Sequence, residues 1–404
     1  MDCFYPGRVL VGPGLESEGG QYLAETLGKE FGGDFEFEFG VDDVLRQNEL
    51  DPHKLQGKRA LPFVGRVPEG MEAEMAARIS QFSPIQVGAA TPDYLVRPAA
   101  SITIDDVVLA KAINAVGGVP KGTQCGSSTV AIIDSGVDPS LVPGANLYPR
   151  QYDALSPLGA MASPLDHLGH GSLVARIVSE TAPAAQLISV RAFDQDGTIS
   201  SAIAALYLAQ AAGPCDVINL SFSVSCAPEA CTVCGAPAQA STNAEQVKYF
   251  FQTFKNAAPD TVLVAAAGNN VNQLTLPAVF EDVIAVGSFD YDARSPISAF
   301  HQVPTGRFAF APGGRGIAGV AFAQRAGFRK PDYLHGTSFA TAFVTAFAAR
   351  VVCARRGNCG TPLKSHAAAA GLYAAVLAEI AARADTSWPG FDPMRHGLGA
   401  IRFS

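Results

Sequence analysis

The chain has 404 residues, with 29 Lys and Arg against 37 Asp and Glu, for a formal charge of −8. Hydrophobic residues make up 48% and charged residues 16%, which excludes an intrinsically disordered protein and indicates a well-buried core. No basic run extends beyond Arg355-Arg356, so neither nucleic acid nor an anionic membrane is expected as a partner.

The opening Met1-Asp2-Cys3-Phe4-Tyr5-Pro6-Gly7-Arg8 lacks a charged region followed by an apolar core. No signal peptide is therefore expected, and the expected location is cytoplasmic, or exported if a signal has been removed. The most apolar helix, Phe339 to Ala354, is interrupted by Arg350 and falls short of the ~20 residues a bilayer needs, so a soluble protein is expected. The eight cysteines leave the redox compartment open. Cys226, Cys231 and Cys234, with Cys215, have the residue types of a structural zinc site, whereas Cys353 and Cys359 suit a disulfide in an exported chain. Reduced thiols are the first reading, ahead of disulfides and then metal, and no metal is assigned.

In chain order, Arg8 to Gly12 reads as a strand and Glu16 to Lys29 as a helix. Phe35 to Phe39 alternates apolar and acidic residues as a half-buried strand does. An extended run over Ala60 to Val67 is followed by a helix over Glu69 to Gln81 and a strand pair around Ile85 to Val87 and Tyr94 to Arg97. This is a split βαβ order, a small α+β domain over residues 1–100. Pro98-Ala99-Ala100 links it to a second domain, residues 101–404, which opens with a helix over Asp105 to Val116.

From Thr129 the chain alternates strand and helix. Val130 to Ile133 is an apolar run ending in Asp134-Ser135-Gly136. His167 to Ser172 opens a helix that runs through Val178. The strand over Leu187 to Ala192, the helix over Ser200 to Ala212 and the strand over Val217 to Phe222 follow. A helix over Asn243 to Asn256 precedes the strand Thr261 to Ala267, which ends in Gly268-Asn269-Asn270. Strands near Val283 to Ser288 and Phe308 to Ala311 lead to the helix that begins at Ser338. A helix over Leu363 to Ala384 and a strand over Gly397 to Ile401 close the chain. The pattern predicts a doubly wound, three-layer α/β domain with a mostly parallel sheet, whose functional groups gather at strand C-termini.

Four positions combine into acyl-transfer chemistry. Ser338 needs an adjacent base to become a nucleophile, and His170 can take and return that proton. Asp134 can hold the imidazole tautomer, and the Asn269 side-chain amide can donate to a developing oxyanion. Asp138 and Asp166 lie near these motifs and compete with Asp134, but only Asp134 directly follows a buried strand. His167 and His170 form His-x-x-His without a third metal ligand, and the Asp194 to Gly197 and Asp290 to Asp292 segments have the chemistry of tight turns.

The motifs carrying these residues resemble those of the subtilisin-like serine peptidases, the subtilases. Val130 to Val137 resembles the aspartate motif, and Gly169 to Ala175 the histidine motif, with Ser172 where Thr is usual. Ala265 to Asn269 resembles the oxyanion-asparagine motif, and Gly336 to Thr341 the serine motif. The order Asp, His, Asn, Ser and the separations of 36, 99 and 69 residues agree with the family's layout. The resemblance covers roughly residues 105–404.

It implies a subtilisin-like fold and a serine endopeptidase acting on peptide or protein substrates. Asp134, His170 and Ser338 would be the triad and Asn269 the oxyanion donor. Ser221, Phe222, Ser223, Ala267 and Gly268 would line the substrate. No cofactor would be required. Family members often carry calcium, but no calcium motif maps onto this sequence. The N-terminal domain resembles subtilase propeptides in element order, so it would be an intramolecular inhibitor with Tyr94 to Ala99 in the cleft, or a permanent accessory domain. The sequence departs from the family pattern in two places. Ala342 replaces a proline in the serine helix, which should alter helix geometry more than chemistry, and Phe222-Ser223-Val224 replaces a Gly-rich edge, which should reshape or narrow the primary pocket. That leaves a dedicated peptide-processing or transpeptidating enzyme as an alternative, and a catalytically silent interaction module as another.

Overall fold

The computed structural model describes residues 4–14, 20–55, 61–82, 87–98, 106–119, 128–142, 145–155, 166–194, 197–224, 240–268, 275–289, 308–312, 336–356 and 371–403. The cysteine loop Cys226 to Cys234, Asn269, the Asp290 to Asp292 turn, His335 and Cys359 lie outside them.

The N-terminal part runs β1 (Phe4–Pro13), α1 (Gly20–Phe31), β2 (Glu36–Gly40), α2 (Val41–Gln47), β3 (Phe63–Arg66), α3 (Glu72–Ser80) and β4 (Val87–Pro98). These strands form an antiparallel sheet in the order β4-β1-β3-β2, as a split βαβ order requires. The sequence reading differs in two places. The expected strand pair near residues 85 and 97 is one continuous strand, β4, because Val87 onward pairs along the length of β1. The short helix α2 was hidden by its length. Its start is fixed by Asp43, which accepts from the Gly40 N–H at 2.8 Å. Alternation along β1 sends Val9 and Val11 toward Leu23 and Leu27 of α1 and Met75 and Ile79 of α3. Leu10, between them, joins the core shared with the second part of the chain.

That part continues through α4 (Asp106–Ala115), β5 (Thr129–Asp134), β6 (Asn146–Leu147), β7 (Tyr152–Asp153), α5 (His170–Thr181), β8 (Gln186–Arg191), β9 (Gly197–Thr198), α6 (Ile199–Ala212), β10 (Val217–Leu220), β11 (Phe222–Val224), α7 (Ala240–Ala257), β12 (Val262–Ala266), β13 (Val283–Phe289), β14 (Phe308–Pro312), α8 (Thr337–Arg355), α9 (Leu372–Arg383) and α10 (Pro393–His396). The main sheet has the order β14-β13-β12-β10-β5-β8-β6, with β7 also on β8. Every pairing in it among the described residues is parallel.

Its strands are apolar on both faces because helices cover both. Val130 and Ile132 of β5 pack with α5 and α8, whereas Ala131 and Ile133 pack with α6 and the α7 phenylalanines. The long apolar helix α8 is 94% buried, so its composition is that of a central core helix.

The run expected as a strand over Val217 to Phe222 splits at Ser221, which leaves the ladder to bond α8. The expected terminal strand is absent among the described residues. Gly397 and Gly399 take positive φ of 52° and 103°, leaving a two-way bridge between Ala400 and Asp385.

The two parts of the chain are joined by strand pairing. The end of β4 lies between β9 and β11, antiparallel to both. Val96 sits opposite Gly197 on one side and Val224 on the other. The carboxylate of Asp93 accepts from Ser200 N at 2.9 Å and Ser200 Oγ at 2.8 Å, at the start of α6. Tyr249 Oη of α7 donates to Pro13 O at 2.8 Å.

Candidate active site

Asp134 ends β5, and its Oδ1 lies 2.6 Å from His170 Nδ1, the first residue of α5. Ser135 N also donates to Oδ1, at 2.8 Å. Both side chains are fully buried. Burial pushes the Asp134 carboxyl above the ordinary carboxylate range, while the charge and hydrogen bond of His170 pull the other way. The His170 ring lies 5.7 Å from the Phe339 ring and 6.3 Å from that of Phe193, centre to centre.

Two glycines set this geometry. Gly169 precedes α5 with φ of +81°, a conformation that costs other residues dearly. Gly171 lets α5 approach β5 so closely that a Cβ there would sit 2.1 Å from Gly136 O and 3.0 Å from Asp134 Cβ.

Ser338 lies in the first turn of α8, where backbone N–H groups lack helical partners and the dipole favours negative charge. Gly336 supplies the turn with φ of +121°. The Ser338 hydroxyl is fully buried and donates to Ser221 O at 2.8 Å. It is therefore not bonded to His170, whose Nε2 is buried and has no hydrogen-bond partner among the described residues.

The residues expected to line substrate are spread over several roles. Ser221 Oγ donates to Ser338 O at 2.8 Å and accepts from Asn219 Nδ2 at 2.8 Å. Phe222 is the first residue of β11. Its ring is fully buried and packs edge-on against Phe193, 6.0 Å away. Ser223 lies in β11 opposite Arg97 of β4. Ala267 is buried at the end of β12, where its N–H donates to Val286 O and its carbonyl accepts from Thr275 N, both at 3.0 Å. Gly268, at φ of +95°, donates its N–H to Thr337 Oγ1 at 3.2 Å, tying this strand end to the serine turn.

Asp138 is no rival to Asp134. It caps the turn at 139–141 through Ser140, is half-buried, and those hydrogen bonds lower its carboxyl pKa. Asp194 pairs with Arg191, as a turn residue would. Cys215 is a buried free thiol, and burial pushes its pKa up. Among the described residues no cluster of His, Cys, Asp or Glu suits a metal ion.

Sequence reasoning missed the supporting roles of Asn219 and Thr345 behind Ser221 and of Ser135 behind Asp134, and it set Asp166 as a competitor of Asp134 where the structure bonds it to Ser135, Gly169 and Ser172. The segment Asp166-His-Leu-Gly-His170-Gly-Ser172 carried a signal, an acid four residues before the histidine.

A three-layer parallel α/β protein with a strand-end aspartate on a helix-start histidine, and a serine at the mouth of the central helix, belongs to the serine-hydrolase class of architectures. The sequence profile of the Subtilase family matches residues 126–381, more than half of the chain, and the chain belongs to that family of serine peptidases. A thermophilic serine proteinase of Bacillus sp. (strain AK1) is 30% identical over 260 residues, covering 59% of this chain and 55% of that protein. The chain thus aligns with about half the length of that relative.

Two solved structures share the fold. Fervidolysin from Fervidobacterium pennivorans, a keratinolytic enzyme related to subtilisin, matches with a TM-score of 0.63 at 15% identity, covering 99% of this chain and 60% of that one. The epidermin leader peptide processing serine protease of Staphylococcus aureus matches with a TM-score of 0.63 at 16% identity, covering 98% and 97%.

Proposed function

We propose that this chain is a serine endopeptidase that cleaves peptide bonds through an acyl-enzyme. The observation that carries the reading is the buried 2.6 Å contact between Asp134 and His170, with the Ser338 helix turn packed beside the same histidine. Ser338 Oγ attacks the scissile carbonyl as its proton passes to His170 Nε2. Asp134 holds the imidazole through Nδ1 and balances the charge that forms. The imidazolium then protonates the leaving amine, and a water, deprotonated by His170, releases the acyl group. The serine-turn N–H groups and the Asn269 amide are the proposed oxyanion donors.

The N-terminal sheet is proposed as an intramolecular inhibitor, supported by the seating of β4 between β9 and β11. An extended peptide added to exposed strand edges is how many clefts hold substrate backbone. The test is intact-mass analysis of wild type and Ser338→Ala before and after a fluorophosphonate probe. The reading requires that wild type gain the probe or lose about the first hundred residues, and that Ser338→Ala do neither. If both stay full length and unlabelled, even after Val96→Asp loosens β4, Ser338 is not an activated nucleophile.

A further inference from the structure

Two loops flank the Asp134–His170 contact, and one buried carboxylate joins them. Asp166 is 8% exposed and accepts from both sides. Its Oδ1 receives Ser135 Oγ at 2.8 Å, Leu168 N at 3.0 Å and Gly169 N at 2.6 Å. Its Oδ2 receives Ser172 N at 2.8 Å and Ser172 Oγ at 2.7 Å. The Ser135 hydroxyl, with its proton directed to Asp166, accepts from Gly171 N at 3.0 Å. The Ser172 hydroxyl in turn accepts from Asp138 N at 2.9 Å. Ser135 follows Asp134, Gly171 follows His170, and each is tied to the other through this cluster.

We propose that Asp166 is a positioning residue for the Asp134–His170 pair, acting through the Ser135 hydroxyl. The proposal rests on the acyl-transfer reading above. An ionised carboxylate supplies acceptors only, and here every donor aimed at it is a backbone N–H or a hydroxyl. An amide in its place offers a single acceptor oxygen, so either Ser172 or the Ser135–Gly169 side would face an N–H₂ group. The strand end and the helix start would then lose their common anchor. A misplacement of about 1 Å in a catalytic group costs on the order of 100-fold in rate.

A plain helix cap explains only part of this arrangement. Capping accounts for Leu168, Gly169 and Ser172, but not for the Ser135 hydroxyl, which comes from another element. Ser135→Ala removes this link, together with the 3.3 Å contact of Ser135 Oγ with Asp134 Oδ1, and leaves the four donors from residues 168–172 in place; the double variant then shows whether Asp166 acts through it.

The full-length wild type, Asp166→Asn, Ser135→Ala and the double variant are compared by two measurements. One is the low-field proton resonance of the His170–Asp134 hydrogen bond. The other is the second-order rate of fluorophosphonate labelling of Ser338. The expected result is a displaced or lost resonance in each single variant. Labelling should slow roughly 10- to 100-fold in Asp166→Asn, and the double variant should be no slower than that. Ser135→Ala, which leaves the Gly171 N–H without its acceptor, should lower the thermal midpoint less than Asp166→Asn does.

An unchanged resonance and wild-type labelling rate in Ser135→Ala would overturn the proposal, and this variant decides alone if Asp166→Asn does not fold. If neither the wild type nor Val96→Asp is ever labelled, the acyl-transfer reading fails. The resonance comparison still decides whether Asp166 holds the pair.

Discussion

Ser338 and Ser221 hold each other by a reciprocal pair of hydrogen bonds. Ser338 Oγ donates to Ser221 O, and Ser221 Oγ donates to Ser338 O, both at 2.8 Å. Behind Ser221 a directional chain continues, because Asn219 Nδ2 donates to Ser221 Oγ at 2.8 Å and Thr345 Oγ1 donates to Asn219 Oδ1 at 3.0 Å. All four residues are fully buried, so no water is at hand to replace a lost partner. The serine turn is thereby fastened to the centre of the parallel sheet at the point where β10 ends.

Removing the middle of that chain should cost stability first. Asn219→Ala strands the Thr345 hydroxyl, while Ser221 Oγ loses a donor but keeps its own bond to Ser338 O, with an expected loss of about 1–3 kcal/mol. Thr345→Val, which keeps shape and strands only Asn219 Oδ1, should cost less. Urea denaturation midpoints of the two variants check the order.

Gly171→Ala should be more damaging to activity than to folding of the rest of the chain. The added methyl would overlap the Gly136 carbonyl, a backbone atom that cannot rotate away. Helix α5 must retreat from β5, lengthening the contact between His170 and Asp134. Overpacking of this kind typically costs about 1–3 kcal/mol. The expected signature is a fall in labelling of Ser338 of two orders of magnitude or so, with circular dichroism close to wild type.

Val96→Asp tests the seating of β4. Val96 is fully buried and flanked by β9 and β11, so a carboxylate there would be taken out of water. Desolvating it is costly enough to favour withdrawal of the strand. Ser338 should then label faster than in the wild type, and added protease should cut between residues 87 and 106 more readily. Equal rates would mean that β4 does not restrict access.

The Asp93 contact predicts a pH dependence. Burial raises the Asp93 carboxyl to about 6 from an ordinary 3.8, against the opposing hydrogen bonds of Ser200 and Thr198 and the charge of Arg8. A carboxyl raised on docking favours the docked, protonated state. Its contribution is fully present below about pH 3.8 and is lost as pH rises through about 6. The interval corresponds to roughly 3 kcal/mol. Between pH 4 and 7 the N-terminal sheet of the wild type should become easier to detach, as read by protease accessibility of β4. Asp93→Asn, which has no charge to desolvate, should show a flatter profile.

Much of this protein was legible in the chain itself. Apolar runs ending in Asp134 and Ala267, with helical segments between them, required a parallel sheet covered on both faces, since such strands have no side to turn to water. Glycines at 169, 171, 268 and 336 marked the sharp turns, because positive φ or backbone contact excludes a side chain. The motifs at Asp134, His170 and Ser338 followed from the chemistry that places those residue types on such turns.

Only the tertiary structure decided which polar groups meet across distant elements. Asp166 reaches Ser135, Asn219 reaches Thr345, and Asp93 reaches Ser200, over separations that no local pattern encodes. The same holds for β4, whose sequence resembles any half-buried strand while its partners β9 and β11 lie more than a hundred residues on. Periodicity reports the face a residue turns inward. What it meets there depends on how the layers close, and burial then makes each of those hydrogen bonds obligatory.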